Sequence, residues 1–213
     1  MTPSQIAALF ECPVGVGVTD PKRPSGFLYP EEAAQMARAV PKRRAEFQAG
    51  RTAARAALTA LKGPACALPA DADRAPIWPR GYAGSITHCE DMCLAVATRA
   101  ARSVGLDIEP ALGLERALWD TVLLPAEQRK ADAAAHPGQY AKLIFCAKEA
   151  AYKAQFPLSR TLFDFHGLQI SCDASGQFSA TFRLKAGEFQ PGQQLTGRYL
   201  IDSDHIVTAA LIG

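Results

Sequence analysis

The order in which helical and strand-like segments follow one another is what most constrains this chain. Pro30 followed by Glu31 and Glu32 suits a helix start, and Pro41 opens a longer helical segment running to "LKGP", with Gly63 as C-cap and Pro64 beyond it. After the loop-rich "ACALPADADRAPIWPRGYAG", three short runs have strand character: "SITHC", "MCLAVAT" and "SVGLDIE". The second half repeats the order, with helical segments at about 114–120, 125–135 and 138–155, then strands in "GLQISC", "QFSATFRL", "LTGRYLI" and "HIVTAALI". Helices first and strands after, twice over, predicts an α+β fold rather than an alternating parallel-sheet one. The expected architecture is two similar α/β lobes, residues 1–102 and 103–213, whose cleft is large enough for a ligand.

A chain of 213 residues, 48% hydrophobic, can build one sizeable core or two small lobes sharing one. Its net charge of +2 is too small for a general nucleic-acid binder, so an anion site must come from local clustering of the 23 Lys and Arg residues. The first twenty residues lack a basic segment followed by a long apolar one, and no run approaches the ~18 apolar residues of a membrane span. A soluble, unexported, cytoplasmic protein is expected, with no membrane or nucleic-acid partner. The cysteines at 12, 66, 89, 93, 146 and 172 form no CxxC pair and read as reduced thiols. The nearest approach to a soft-metal cluster, His88-Cys89-x3-Cys93, has no second ligand pair at zinc-site spacing and is not expected to bind metal.

The stretch "VGLDIEP" carries two carboxylates on an otherwise apolar strand. Residues i and i+2 share a face, so Asp107 and Glu109 point together while Leu106 and Ile108 face the core. Two desolvated like charges repel, and a hard divalent cation is one way to hold both ionised; a solvated strand end is the plainer alternative. A third carboxylate lies in "FCAKEAAYKAQF". There Tyr140, Ile144, Ala147, Ala151 and Ala154 form an apolar stripe, and Glu149 lies off it beside Tyr152 and Lys153, with Lys148 adjacent in sequence. Taken alone, Glu149 and Lys153 read as a surface ion pair one helical turn apart.

In "PKRRAEFQAGRTAARAALTALKG", Arg44, Arg51, Arg55 and Lys62 fall within roughly 40° of one line on a helix, a basic stripe that is either a solvated face or a phosphate-binding wall. Downstream, "GSITHC" offers Ser85, Thr87 and His88, with Arg74 upstream. Guanidinium groups, hydroxyls and an imidazole for an anion, together with carboxylates for its metal, suit a metal-chelated polyphosphate.

In "KRRAEFQAGRTAARAAL", "PIWPRGYAGSITHC", "VGLDIEP", "LPAEQ" and "FCAKEAAYKAQFPLSR", in that order, the chain resembles the 4'-phosphopantetheinyl transferases of the larger, single-chain bacterial type. These activate carrier domains of nonribosomal peptide, polyketide and siderophore synthases. The resemblance implies lobes related by a pseudo-twofold axis, with coenzyme A as co-substrate between them: the first lobe binds its phosphates, and the second carries the metal site and catalytic helix. It implies Mg2+, or Mn2+, on Asp107, Glu109 and Glu149, bridging the pyrophosphate while the carrier serine attacks and 3',5'-ADP leaves. Arg43, Arg51 and His88 match positions at the adenosine phosphates, with Thr87 nearby and Arg74 within a residue or so of a phosphate role. Lys148 and Lys153 match positions near the pyrophosphate, and Glu149, Lys153 and Asp107 form the catalytic set. The helix geometry selects Arg44 where the family pattern selects Arg43. The partner implied is an apo acyl or peptidyl carrier protein, and the enzyme is expected to be a monomer. The competing reading is a noncatalytic module that binds coenzyme A or a carrier; another phosphoryl transferase would be expected to show a GxxxxGK[ST] loop, which is missing.

Overall fold

The computed structural model describes residues Met1–Gly213 and contains two antiparallel sheets, each covered by one long helix. The first sheet has strand order β1-β3-β2, built from β1 (Gly15–Thr19), β2 (Ala83–His88) and β3 (Cys93–Thr98). Helix α3 (Pro41–Ala60) lies across it, its Ala49, Ala53, Ala54, Ala57 and Leu58 packing on Cys93, Ala95 and Ala97. The second sheet runs β4-β8-β7-β6-β5, with β4 (Ser103–Pro110), β5 (Leu168–Cys172), β6 (Gln177–Phe182), β7 (Gln194–Ile201) and β8 (His205–Ile212). Helix α6 (Pro137–Ser159) covers it, burying Ile144, Ala147, Ala151 and Ala154, the predicted stripe, against Ile170, Phe178, Ala180 and Phe182.

Shorter elements complete the chain: α1 (Pro3–Ala7), α2 (Pro30–Gln35), α4 (Trp119–Val122) and α5 (Pro125–Asp132). The segment expected to be helical at 114–120 is one 3-10 turn at Arg116–Leu118 running into α4. The fold is α+β, but the first lobe does not run all its helices before its strands. Strand β1 follows the short α1 and precedes α2 and α3, and its glycines hide it from any apolar alternation. A Cβ on Gly15 or Gly17 would collide with the carbonyl oxygens of Ala57 and Ala53. Gly105 of β4 meets Ala150 of α6 in the same way, so both lobes bring a helix down onto a glycine of the strand beneath it.

The sheets share an apolar layer in which Ile6 and Phe10 join Leu94 and Val96 of the first to Val104, Leu106, Ile108 and Val207 of the second. The sheets meet where β2 runs beside β4, through side-chain hydroxyls of β2: Leu106 N–H donates to Ser85 Oγ at 3.1 Å and Ile108 N–H to Thr87 Oγ1 at 3.4 Å. All six cysteines are free, and no helix is long and apolar enough to cross a membrane.

Candidate active site

The seam between β2 and β4 carries the candidate chemistry. Asp107 is buried, its Oδ1 accepting from Thr87 Oγ1 at 2.8 Å and from Lys153 Nζ at 2.6 Å. Its other oxygen, Oδ2, is buried without a hydrogen-bond partner. Such an atom costs free energy unless something beyond the protein satisfies it. Lys153 also reaches Thr87 Oγ1 at 3.3 Å and the Leu106 carbonyl at 3.4 Å, so one ammonium ties α6 to both sheets.

Glu109, two residues along β4, pairs with Lys142 Nζ at 3.1 Å. Its carboxyl is pushed above the usual range by burial and then by the charge of Asp107. The Glu149 carboxyl is raised as well, by burial first; Lys153 opposes this, while Asp107 and Glu109 add to it. Burial works to lower Lys153, but the Asp107 and Glu149 carboxylates outweigh it and its pKa rises. Asp107 repels both Glu109 and Glu149 and keeps one buried oxygen orphaned, and carboxylate oxygens are the hard donors that suit Mg2+ or Mn2+. The ion pair expected between Glu149 and Lys153 is not formed, because Lys153 turns to Asp107.

The cationic residues separate into distinct environments. Arg51 is buried, donating from Nε to the Leu68 carbonyl at 2.6 Å, with its guanidinium 3.9 Å over the Phe47 ring. Burial lowers its pKa to about 10. Arg43 and His88 flank Glu46, at 3.6 Å and 3.8 Å. Burial lowers the His88 pKa, with Arg43 and Lys153 acting in the same direction and Glu46 against them. Arg43 and Arg44 are both exposed, but only Arg43 shares Glu46 with His88. The basic stripe is not a free wall, since Arg55 is held by Glu32 at 2.9 Å.

Lys148 is enclosed rather than poised beside Asp107. Its ammonium pairs with Glu127 at 2.8 Å, both side chains 1% exposed, and donates to the Val122 carbonyl at 2.7 Å. Glu127 also accepts from the Leu124 and Ile170 amides at 2.7 Å and 2.6 Å. Lys148 still lines a small cavity with Glu149, Tyr152 and Phe163. A larger cleft of about 490 Å³ opens from Lys153 between the lobes, with Arg74, Trp78, Ser85 and Arg102 in its walls. Arg160, at the end of α6, crosses its rim to Asp71 at 2.5 Å.

Sequence reasoning had not assigned roles to Glu46, Glu127, Lys142 or Asp71. Glu127 lies in "LPAEQ" and Glu46 in "KRRAEFQAGRTAARAAL"; Lys142 and Asp71 join the site through tertiary contacts that no local spacing announces.

Comparison with known proteins decides the family. A profile described as 4'-phosphopantetheinyl transferase N-terminal domain matches residues 31–98, and one described as 4'-phosphopantetheinyl transferase superfamily matches 103–210. The chain belongs to the 4'-phosphopantetheinyl transferase superfamily. It is 38% identical over 201 residues to 4'-phosphopantetheinyl transferase Svp of Streptomyces mobaraensis, covering 90% of this chain and 81% of that one. It is 36% identical to 4'-phosphopantetheinyl transferase PptT of Mycobacterium tuberculosis, covering 86% and 85%. Enterobactin synthase component D of Escherichia coli is 40% identical over 124 residues, 57% of this chain and 59% of that one. Members of this superfamily move the phosphopantetheine group of coenzyme A onto carrier proteins.

Proposed function

We propose that this chain transfers the 4'-phosphopantetheine arm of coenzyme A to a serine of an apo acyl or peptidyl carrier protein, using the β2–β4 seam as its catalytic centre. The observation that carries the reading is the orphaned Oδ2 of Asp107, a carboxylate that shares its strand with Glu109 and holds Lys153, which lines the interlobe cleft. In this reading residues 1–102 bind the coenzyme A phosphates through Arg43, Arg51, Arg74, Thr87 and His88, and residues 103–213 supply the metal ligands and catalytic helix.

Asp107, Glu109 and Glu149 would hold Mg2+, or Mn2+, which when bound neutralises charge on the pyrophosphate oxygens. The carrier serine oxygen forms a bond to the β-phosphorus, the bond to the bridging oxygen breaks, and 3',5'-ADP departs. No protein nucleophile is required; positioning and charge neutralisation dominate such transfers. Lys153, fixed by Asp107 and Thr87, places its positive charge at the pyrophosphate. Lys148, locked by Glu127, holds α6 in register and presents its charge to the neighbouring cavity. Glu149, whose burial raises its proton affinity, takes the serine proton directly or through a water.

The sequence relation to Svp and PptT disfavours a noncatalytic binding module. Carrier domains of nonribosomal peptide, polyketide or siderophore synthases are the proposed partners. Incubation with coenzyme A, Mg2+ and a panel of apo-carriers, followed by intact-mass measurement, tests the reading. A gain of one phosphopantetheine on a carrier supports it; coenzyme A binding with no carrier modified would overturn it.

A further inference from the structure

A second cluster lies at the turn leaving β2. Cys89, Asp91 and His205 each offer one ligand atom, and the three atoms lie within 4.8 Å of one another. Asp91 Oδ1 is 3.1 Å from His205 Nε2 and 3.2 Å from Cys89 Sγ. His205, at the head of β8, is held in place: Asp202 Oδ1 accepts its backbone N–H at 2.8 Å, and its side chain is only 7% exposed. Asp91 is 56% exposed and faces an open cavity of about 340 Å³ lined also by Glu90, Ser203 and Asp204.

We propose that Cys89, Asp91 and His205 form a binding site for a borderline-soft divalent transition metal of the zinc class, pinning the first lobe to the second. Sulfur, imidazole nitrogen and one carboxylate oxygen are the donors such ions select, and three protein ligands leave a fourth position for a water from the cavity. Ordinary zinc bond lengths of about 2.0 to 2.3 Å at a tetrahedral angle put neighbouring ligand atoms about 3.4 to 3.6 Å apart. The observed 3.1 Å and 3.2 Å separations need to open by only a few tenths of an ångström. On binding, the Cys89 thiol proton passes to solvent, and His205 coordinates through Nε2 with its remaining proton on Nδ1.

The arrangement is not that of a hydrolytic triad. Asp91 stands between the other two and bonds to both, so the imidazole is not placed to deprotonate the thiol. Burial, in addition, pushes the thiol up to about 11, which leaves it inert without a metal. The His88-Cys89-x3-Cys93 grouping, which the sequence did not favour as a metal site, does not supply the ligands: Cys93 turns inward beneath α3. His205, 114 residues from Asp91, supplies the missing ligand. The bound ion would join the β2–β3 turn directly after His88 to the strand that pairs with Glu109.

Cobalt(II) titration of the chelator-treated, reduced full-length protein in saturating Mg2+ tests this. One Co2+ per chain is expected, with a thiolate-to-cobalt charge-transfer band that Zn2+ displaces and that Cys89→Ser abolishes. His205→Gln and Asp91→Asn are expected to weaken Zn2+ binding by ~10-fold or more in calorimetry. Zn2+ is also expected to raise the melting temperature of the wild type and not of Asp91→Asn, whose exposed side chain keeps the test valid if Cys89→Ser folds poorly. Absence of the band, its survival in Cys89→Ser, or unchanged Zn2+ affinity in both Asp91→Asn and His205→Gln would overturn the site.

Discussion

The ammonium of Lys153 lies 2.6 Å from Oδ1 of Asp107, on a different element, and forms no ion pair with Glu149, its neighbour one turn away on the same helix. That choice places a cation of α6 across the junction of the two lobes. It also gives Asp107 a structural role, since the carboxylate neutralises a lysine only 28% exposed and receives the Thr87 hydroxyl at 2.8 Å.

Asp107→Ala is therefore expected to abolish transfer and to destabilise the fold by about 3 kcal/mol, at the lower end for breaking a buried ion pair. Relief of repulsion with Glu109 and Glu149 works in the other direction but is smaller, because it involves no direct contact. Urea denaturation without metal reads the effect, and adding Lys153→Met is expected to recover part of the loss. An Asp107→Ala protein as stable as wild type would show that repulsion outweighs pairing.

The Glu127–Lys148 pair predicts an asymmetry. Glu127→Ala strands the Lys148 ammonium and the amides of Leu124 and Ile170, and is expected to cost about 3 to 5 kcal/mol. Lys148→Met leaves Glu127 with two amide donors and removes a lysine whose pKa burial already lowers, so its cost is smaller. Equal or reversed losses in denaturant melts would refute this ordering.

His88 predicts a pH dependence. Its folded pKa is lowered below 6.5, mainly by burial, so the fold favours the neutral ring. The unfolded chain then binds more protons just below pH 6.5, and this contribution to stability is full above that pH and is lost as pH falls toward the folded pKa. A bound phosphate favours the charged ring, so coenzyme A binding at pH 7 is expected to take up a fraction of a proton. Calorimetry in two buffers of different ionisation enthalpy measures that fraction, and His88→Gln should remove it. Uptake that persists in His88→Gln would assign it to another group.

Much of this was legible in the sequence because it is local. The stripe through Ile144, Ala147, Ala151 and Ala154 is a spacing, and the shared face of Asp107 and Glu109 is a strand period. Strand β1 was not legible, since Gly15 and Gly17 serve a close approach to α3 and break the apolar alternation that marks strands. Nor was the fate of the cations. The wheel of α3 aligns Arg44, Arg51, Arg55 and Lys62, but Glu32 claims Arg55 and the Leu68 carbonyl claims Arg51. Helical spacing shows which residues share a face, and only tertiary contacts show that Arg55 is neutralised by a carboxylate while Arg51 is merely oriented by a carbonyl and keeps its charge free.

Glu149→Gln separates chemistry from stability most cleanly. Glutamine keeps the size and helix propensity of glutamate while removing the charge. Because Glu149 makes no ion pair with Lys153, no salt bridge is lost. Burial and the charges of Asp107 and Glu109 already raise its pKa, so removing the charge relieves a desolvated, repelled carboxylate. The variant is therefore expected to be as stable as wild type or slightly more so, with the gain largest at neutral pH, shrinking as pH falls through the raised pKa and gone below the ordinary carboxylate range. If Glu149 accepts the serine proton and helps hold the cation, turnover should fall by at least ~100-fold, since general-base terms alone supply ~100- to 10,000-fold. Coenzyme A affinity should fall less, because Arg43, Arg51 and His88 belong to the other lobe. A rate assay with a cognate apo-carrier at saturating coenzyme A and Mg2+, run beside a thermal melt, reads both effects, and turnover within threefold of wild type would remove Glu149 from the chemistry.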